Sequence, residues 1–466
     1  MKFYQITDLH YYPAKLLNAQ GKEWINRAMY DQKCIAESEA ILDATIQMLL
    51  DDKEIDIVLI TGDNVCDGER VGHISLAEKL HKLTEAGKKV YIITGTHDLH
   101  PEPKGYSNEK GEYVVEGCTR QELEEIYGDF GFNDAIAKHA KTFSYVSQLD
   151  EKTRLLALND DGIGWEDGFH GYFEEQLDWI KEQIADCRKA GQKMIAITHH
   201  PLLAPSPVYE FYCKNQMLGD NEKIAALFAD NDIHFVFTGH THMQNINFFD
   251  TAKGNRIYDI NTASLIGYPS PIRKMELDDE KLTVKTLHPQ NINYDFGSKS
   301  YMTYSRDHFD FMLNDIIDSA ANDINRFVEV AECFSLHKEQ AEKIKVPIHI
   351  LGKLLDSLTF KKAGTVLMCK SKIAPRMYNV RLADFIITLV RNIYAGDEPY
   401  APGTAEYDSF MAIYYRLSPI FHKIFKGDEI DNVIKGILYD GGFPDSDAVL
   451  VIVHTAAGHR PGCVRI

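Results

Sequence analysis

The stretch Ile57-Val58-Leu59-Ile60-Thr61-Gly62-Asp63-Asn64 restricts what this chain can fold into more than any other. Four branched apolar residues without alternation suit a strand buried on both faces of a parallel sheet, and the glycine after them lets the chain turn sharply. Asp63 therefore stands at the carboxyl end of a central strand. In open α/β sheets that is where ligands bind, so a carboxylate there points to chemistry.

Similar strands recur along the chain, each ending in polar residues. Lys2–Ile6 runs into Asp8 and His10, and residues two apart on an extended segment point the same way, so both can reach one ion while Leu9 faces the core. Val90–Ile93 ends in Gly95-Thr96-His97-Asp98, Leu155–Leu158 in Asn159-Asp160, Met194–Ile197 in His199-His200-Pro201, and Ile233–Phe237 in Gly239-His240-Thr241-His242. Helical spacing separates them: Ile35, Leu42, Ile46 and Leu49; Leu76, Leu80 and Leu83, closed by Gly87; Phe173, Leu177, Ile180, Ile184 and Cys187. A short helix is expected around Ile224, Leu227 and Phe228. Residues 99–150, with Pro101, Pro103 and several glycines, read as an irregular excursion rather than sheet, and 245–288 as antiparallel strands. From residue 298 long helical stripes take over, as in Phe309, Met312, Leu313, Ile316 and Ile317, then 382–394 and 410–425. The expected organisation is a 1–297 α/β domain and a 298–466 mainly helical domain acting as a cap or in dimerisation.

A net charge of −19 opposes binding to a phosphate backbone, so a nucleic-acid polymer is not an expected partner. A small anionic substrate stays compatible, because bound divalent ions can dominate the local field. Eight scattered cysteines without a C-x-x-C pair read as reduced thiols in a cytoplasmic protein. No apolar run approaches the about 18 residues that cross a bilayer, and the strand beginning at Lys2 leaves no room for a signal peptide.

As an ordered set, D-x-H, G-D, G-T-H-D, H-H-P and G-H-T-H over roughly residues 1–290 resemble the calcineurin-like metallophosphoesterase family, in particular its bacterial cyclic-nucleotide phosphodiesterase type. The resemblance implies a layered sheet sandwich flanked by helices. It implies one metal held by Asp8, His10, Asp63 and His242, and a second held by Asp63, His199 and His240. Mn, Fe or Zn suits such mixed imidazole and carboxylate ligands. Two ions ~3.5–4 Å apart would neutralise phosphate oxygens and acidify a bridging water to the attacking hydroxide. His97 matches the residue that stabilises the transition state or protonates the leaving group. The implied activity is hydrolysis of a small phosphodiester, with a phosphomonoesterase as the alternative.

One position departs from the pattern. Thr96 stands where the family has an Asn that ligates the second metal. A hydroxyl is a shorter and poorer neutral ligand, so the second site is expected to be weaker, completed by water, or filled only with substrate. The same departure supports a different reading, a catalytically weakened member that binds a nucleotide or a partner. His200, pointing opposite to His199, is expected on the substrate side or behind the ligands rather than as a ligand itself. Asp98 is expected to orient His97, to serve a helix N-terminus or to face solvent. Cys66 and Asp67 are expected in ordinary loop roles and His100 and His170 at the surface, and no role attaches to Asn159 or Asp160.

Overall fold

A computed structural model describes residues 1–18, 21–108, 110–161, 170–331, 338–425, 427–453 and 464–465. Two mixed sheets of seven strands face each other. In the first, the strand Ile57–Thr61 lies between Lys2–Ile6 and Lys89–Ile93, parallel to both. Ile272–Leu277 and Lys281–Leu287 extend this sheet antiparallel beyond Lys2–Ile6. In the second, Thr153–Ala157, Lys193–Ile197 and Phe235–Thr238 run parallel, with Arg256–Asn261 parallel to the last of them and Asn245–Asp250 antiparallel at the edge.

Period-two geometry explains why these strands are apolar throughout. Ile57 and Leu59 point inward with Phe3, Tyr91 and Ile93, meeting Leu155, Ala157, Ile195, Ile197, Phe235 and Phe237 of the facing sheet. Val58 and Ile60 point outward and pack under the helices Ser38–Asp51 and Arg70–Glu85 through Leu42, Ile46, Leu76 and Leu80. The second sheet is covered in the same way by Glu174–Lys189 and Asn221–Ala229. The expected layered α/β sandwich flanked by helices is therefore present, followed by helices that include Tyr301–Asn322, Lys338–Ser357, Leu382–Ala395 and Ala405–Ile424.

Two expectations change. Residues 99–150 are not free of sheet: Tyr145–Gln148 pairs antiparallel with Thr153–Ala157, and Ala137–Lys138 pairs with it in turn. Tyr145 and Val146 are fully buried, and the Tyr145 hydroxyl donates to Ile92 O at 2.8 Å, so tertiary packing makes this polar, four-residue segment a strand. The mainly helical region also ends by rejoining the first sheet. Ala448–Val451 pairs antiparallel with Lys281–Leu287 and buries Ala448 and Leu450 in the core between the sheets. Six cysteines, Cys34, Cys66, Cys118, Cys187, Cys213 and Cys369, are free thiols; Cys333 and Cys463 lie outside the described residues.

Candidate metal centre

The carboxyl ends of the central strands of both sheets converge on one place. The loops after Lys2–Ile6 and Ile57–Thr61 continue the parallel pairing beyond the strands: Asp8 N donates to Gly62 O, His10 N to Asp63 O and Tyr11 N to Asn64 O. Asp8 and His10 are thus not on extended backbone as expected. Both adopt left-handed φ, at 49° and 37°, as do Asp63, His240 and His242. The outcome for Leu9 holds, since it is buried while its neighbours face the site.

Two groups of ligand atoms result. Asp8, His10, Asp63 and His242 form one, and Asp63, His199 and His240 the other, each with its atoms within 4.8 Å of one another. Asp63 belongs to both through a single oxygen: Oδ2 lies 3.6 Å from His10 Nε2 and 3.3 Å from His199 Nε2. His10 Nε2 and His242 Nε2 face each other at 3.0 Å, and Asp8 Oδ1 is 3.2 Å from His242 Nε2.

The surroundings fix which atoms carry lone pairs. His199 Nδ1–H donates to Thr61 O at 2.9 Å, which leaves Nε2 for a ligand. His242 Nδ1–H donates to Gln32 Oε1, and His240 Nε2–H to Gln216 Oε1 at 3.1 Å. Such acceptors hold an imidazole in one tautomer and orientation. Asp8 Oδ2 accepts from Thr7 Oγ1 and His240 N, while Asp8 Oδ1 and His199 Nε2 are buried without hydrogen-bond partners. Orphaned atoms of these two types, aimed at one another's neighbours, fit metal ions. Burial pushes His10 down to about 3 and His240 well below its ordinary value, keeping both neutral as ligands must be. His199 behaves oppositely. Burial opposes its charge, yet the Asp63 carboxylate, followed by Asp8 and Asp161, raises its pKa, a measure of the negative field at this point.

Glycine is required where these loops touch. Gly62 has φ 98°, and a Cβ there would lie 2.6 Å from His199 Nδ1; one on Gly239 would lie 2.3 Å from Asp8 Oδ2.

His97 lines the cleft beside the first group, its ring edge-on to His10 at 4.8 Å, and its backbone N–H donates to Asp63 Oδ1 at 2.8 Å. Its Nδ1 meets Asp67 Oδ1 at 3.2 Å, and Asp67 Oδ2 is 3.2 Å from Arg27 Nη2. Burial works against the imidazolium, but Asp63 and the Asp67 hydrogen bond outweigh it and hold the pKa above the ordinary value. Asp67, expected in an ordinary loop role, is therefore the partner of His97. Asp98 does not touch His97 through its carboxylate but takes the helix N-terminal role, its Oδ2 accepting from Gly95 N at the start of the short helix Thr96–Leu99. It also accepts from Asn64 N and Val65 N and so pins the Asp63 loop to the Thr96 turn.

Thr96 does not join the second ligand group. Its hydroxyl donates to Asp161 Oδ1 at 3.3 Å and lies 3.4 Å from His200 Nε2. His200 is fully buried and is not among the side chains lining the main cleft; its Nδ1–H donates to Asp160 Oδ1 at 3.0 Å. His170, expected at the surface, is partly buried and stacks on His200 at 4.1 Å. Only the three-dimensional pairing of loops reveals Asp67, Asp161, His170, Gln32 and Gln216. In the sequence they carry no spacing signal.

The cleft has a volume of about 500 Å³. Arg27, Lys33, Asp63, His97, His240 and His242 line it together with Phe309, Met312, Leu313, Ile316, Val390 and Tyr394 of the C-terminal helices. Among the described residues no helix is long and apolar enough to cross a membrane.

Solved structures similar to this chain include a dimetal phosphatase from Danio rerio, 12% identical, covering 61% of this chain and 95% of its own, with a TM-score of 0.44. Another is purple acid phosphatase PPD1 from yellow lupin, Lupinus luteus, 15% identical, covering 63% of this chain and 52% of its own, with a TM-score of 0.41. A comparison with curated proteins finds no match. The family model for calcineurin-like phosphoesterase matches residues 1–244. That span contains every residue of the two groups that share Asp63, and the chain belongs to the calcineurin-like phosphoesterase family.

Proposed function

We propose that the chain is a dimetal-dependent phosphodiesterase acting on a small phosphodiester such as a cyclic nucleotide. The observation that carries the reading is the single Asp63 oxygen shared between two groups of imidazole and carboxylate ligands. Asp8, His10, Asp63 and His242 would hold one ion, and Asp63, His199 and His240 the other, with Mn, Fe or Zn suited to both. Bound there, the ions supply positive charge to phosphate oxygens and acidify water near neutral pH.

The remaining roles fall to the chain's own residues. His97 stands at the cleft, held by Asp67 and charged more readily than a free histidine, and donates its proton to the leaving oxygen as the P–O bond breaks. The oxygen of water forms the new bond to phosphorus. Arg27 and Lys33 add positive charge to the same cleft. Preference for a diester is supported by Phe309, Met312, Leu313, Ile316 and Val390 in the cleft lining, which offer apolar surface for the second ester substituent. In this role the helical region is a cap over the site. A cytoplasmic location agrees with the free thiols of Cys34, Cys66, Cys187 and Cys369.

The test compares bis(p-nitrophenyl) phosphate with p-nitrophenyl phosphate on protein stripped of metal and titrated with Mn²⁺. Mn²⁺-dependent turnover favouring the diester is expected. Faster turnover of the monoester would make the chain a phosphomonoesterase. Absence of turnover of either, with metal bound, would favour the weakened, nucleotide- or partner-binding reading, for which the turn of the Thr96 hydroxyl toward Asp161 is the supporting observation.

A further inference from the structure

Next to the two groups that share Asp63 lies a third, which uses none of their residues. Asp161, His170 and His200 each offer one ligand atom, and the three atoms lie within 4.8 Å of one another. We infer that these three side chains, with the Thr96 hydroxyl, form a third metal site for a divalent transition ion, contiguous with the metal pair.

Proton counting is the first argument. His200 spends its Nδ1–H on Asp160 Oδ1, so Nε2 carries a lone pair, and it faces the Thr96 hydroxyl. That hydroxyl has one hydrogen and gives it to Asp161 Oδ1. His170 Nδ1 is buried without a hydrogen-bond partner. The one hydroxyl proton is spent on Asp161, so the His200 Nε2 lone pair is left without a donor beside an unpartnered His170 Nδ1, and a cation would satisfy these atoms. Two imidazoles and a carboxylate favour Zn²⁺, Mn²⁺ or Fe²⁺ over Mg²⁺ or Ca²⁺, which take oxygen ligands.

The second argument is that the backbone builds this place. Asp161 pairs with Gly171, Gly171 N donates to Asp160 O at 2.7 Å, and Gly219 N donates to His170 O at 2.7 Å. These bonds hold Asp161 and His170 near each other, and Asp160 Oδ2, accepting from Thr198 Oγ1 and His200 N, ties them to the end of the Lys193–Ile197 strand. The His200 ring packs 4.1 Å from that of His170 and 4.1 Å from that of His240. His240 belongs to the second ligand group, so the third site abuts the pair. This accounts for Thr96: the position where the family places a second-metal ligand turns here toward the neighbouring site. The inference rests on ligand geometry and is independent of which ester is hydrolysed.

The test is a metal count on the full chain, stripped with chelator, dialysed to equilibrium against Mn²⁺ or Zn²⁺, and measured by inductively coupled plasma mass spectrometry. Three ions per chain are expected for the wild type, and two for His170→Ala and Asp161→Asn. Anomalous diffraction from Mn²⁺-loaded crystals of the wild type supplies a reading that does not depend on how the variants fold. A peak within reach of Asp161, His170 and His200 is expected, separate from the pair at Asp63. Two ions in the wild type would overturn the inference, as would a third ion retained in both variants or an anomalous map with peaks only beside Asp63. A wild type with two ions and Asp161→Asn with one would instead make Asp161 a ligand of the second metal, which also overturns it.

Discussion

Replacing Asp67 by Asn removes one negative charge from beside His97 and almost nothing else. The amide oxygen can still accept from Nδ1–H across the 3.2 Å now spanned by Oδ1. Two unit charges at that separation, with an effective dielectric constant of about 20, interact by about 5 kcal/mol. The effective figure is smaller, because Arg27 sits 3.2 Å from the other carboxylate oxygen and the His97 side chain is 29% exposed. A loss of about 1.5–2.5 kcal/mol is left, matching the 10- to 100-fold cost usual for removing a carboxylate behind a functional histidine. If His97 protonates the leaving oxygen, that loss depends on how much the leaving group needs a proton. Asp67→Asn should therefore lower kcat by about 10- to 100-fold for diphenyl phosphate, and by no more than about threefold for bis(p-nitrophenyl) phosphate, whose leaving group departs readily as an anion. Metal content should stay at the wild-type value, since Asp67 belongs to neither group that shares Asp63. Equal losses on the two esters would refute the proton-donor role. Loss of metal from the variant would show that Asp67 acts on the ions instead.

Two further outcomes concern stability. Glu398 is buried beside Asp445, and burial, followed by the charge of Asp445, pushes its pKa up to about 9 from 4.5. The folded chain then holds a proton that the unfolded chain releases above pH 4.5, so this group destabilises increasingly as pH rises toward 9. Glu398→Gln should match the wild type near pH 4.5 and exceed it by up to about 3 kcal/mol at pH 7 in urea unfolding with chelator present, and a difference independent of pH would refute this. Truncation after residue 297 removes Ala448–Val451 from the edge of the first sheet, together with Ser446 O, which accepts from the fully buried Arg273 guanidinium at 2.7 Å. A newly open strand edge and a buried charge short of an acceptor should make the 1–297 fragment aggregate, and a monodisperse fragment on size-exclusion chromatography would refute that.

The ligand-bearing strands were legible because burial on both faces writes a dense apolar run, and a carboxylate or imidazole at its end interrupts that run sharply. Ile57–Thr61 before Asp63 and Lys193–Ile197 before His199 show both signals. The same reasoning missed Tyr145–Gln148, whose Ser147 and Gln148 hide the pattern; its strand state comes from pairing with Thr153–Ala157. It also missed Ala448–Val451, which lies far along the chain in a region whose helical stripes dominate, and whose partner is some 165 residues earlier. Asp67 and His170 illustrate a third kind of omission. Each matters through a contact between loops, Asp67 with His97 and His170 with His200, and periodicity within a segment carries no information about such contacts.

The backbone at the ligands exposes a cost that the motifs do not display. Asp8, His10, Asp63, His240 and His242 have φ values of 49°, 37°, 50°, 69° and 55°, a region that costs an L-residue about 1 kcal/mol or more. Five such residues represent about 5 kcal/mol, comparable to the whole net stability of a small domain. The fold offsets this locally, by tying the strained residues to one another: Asp8 N to Gly62 O, His10 N to Asp63 O, and His240 N to Asp8 Oδ2, each at 3.0 Å. Because each of these bonds joins two different loops, no single loop can relax to ordinary φ without breaking a bond to the next. A left-handed residue at a strand end turns its side chain out of the pleat, and here five do so toward one point. The D-x-H and G-H-T-H spacings thus reflect the geometry of two interlocked turns rather than that of an extended strand, and the glycines at 62 and 239 are what allow those turns to approach each other.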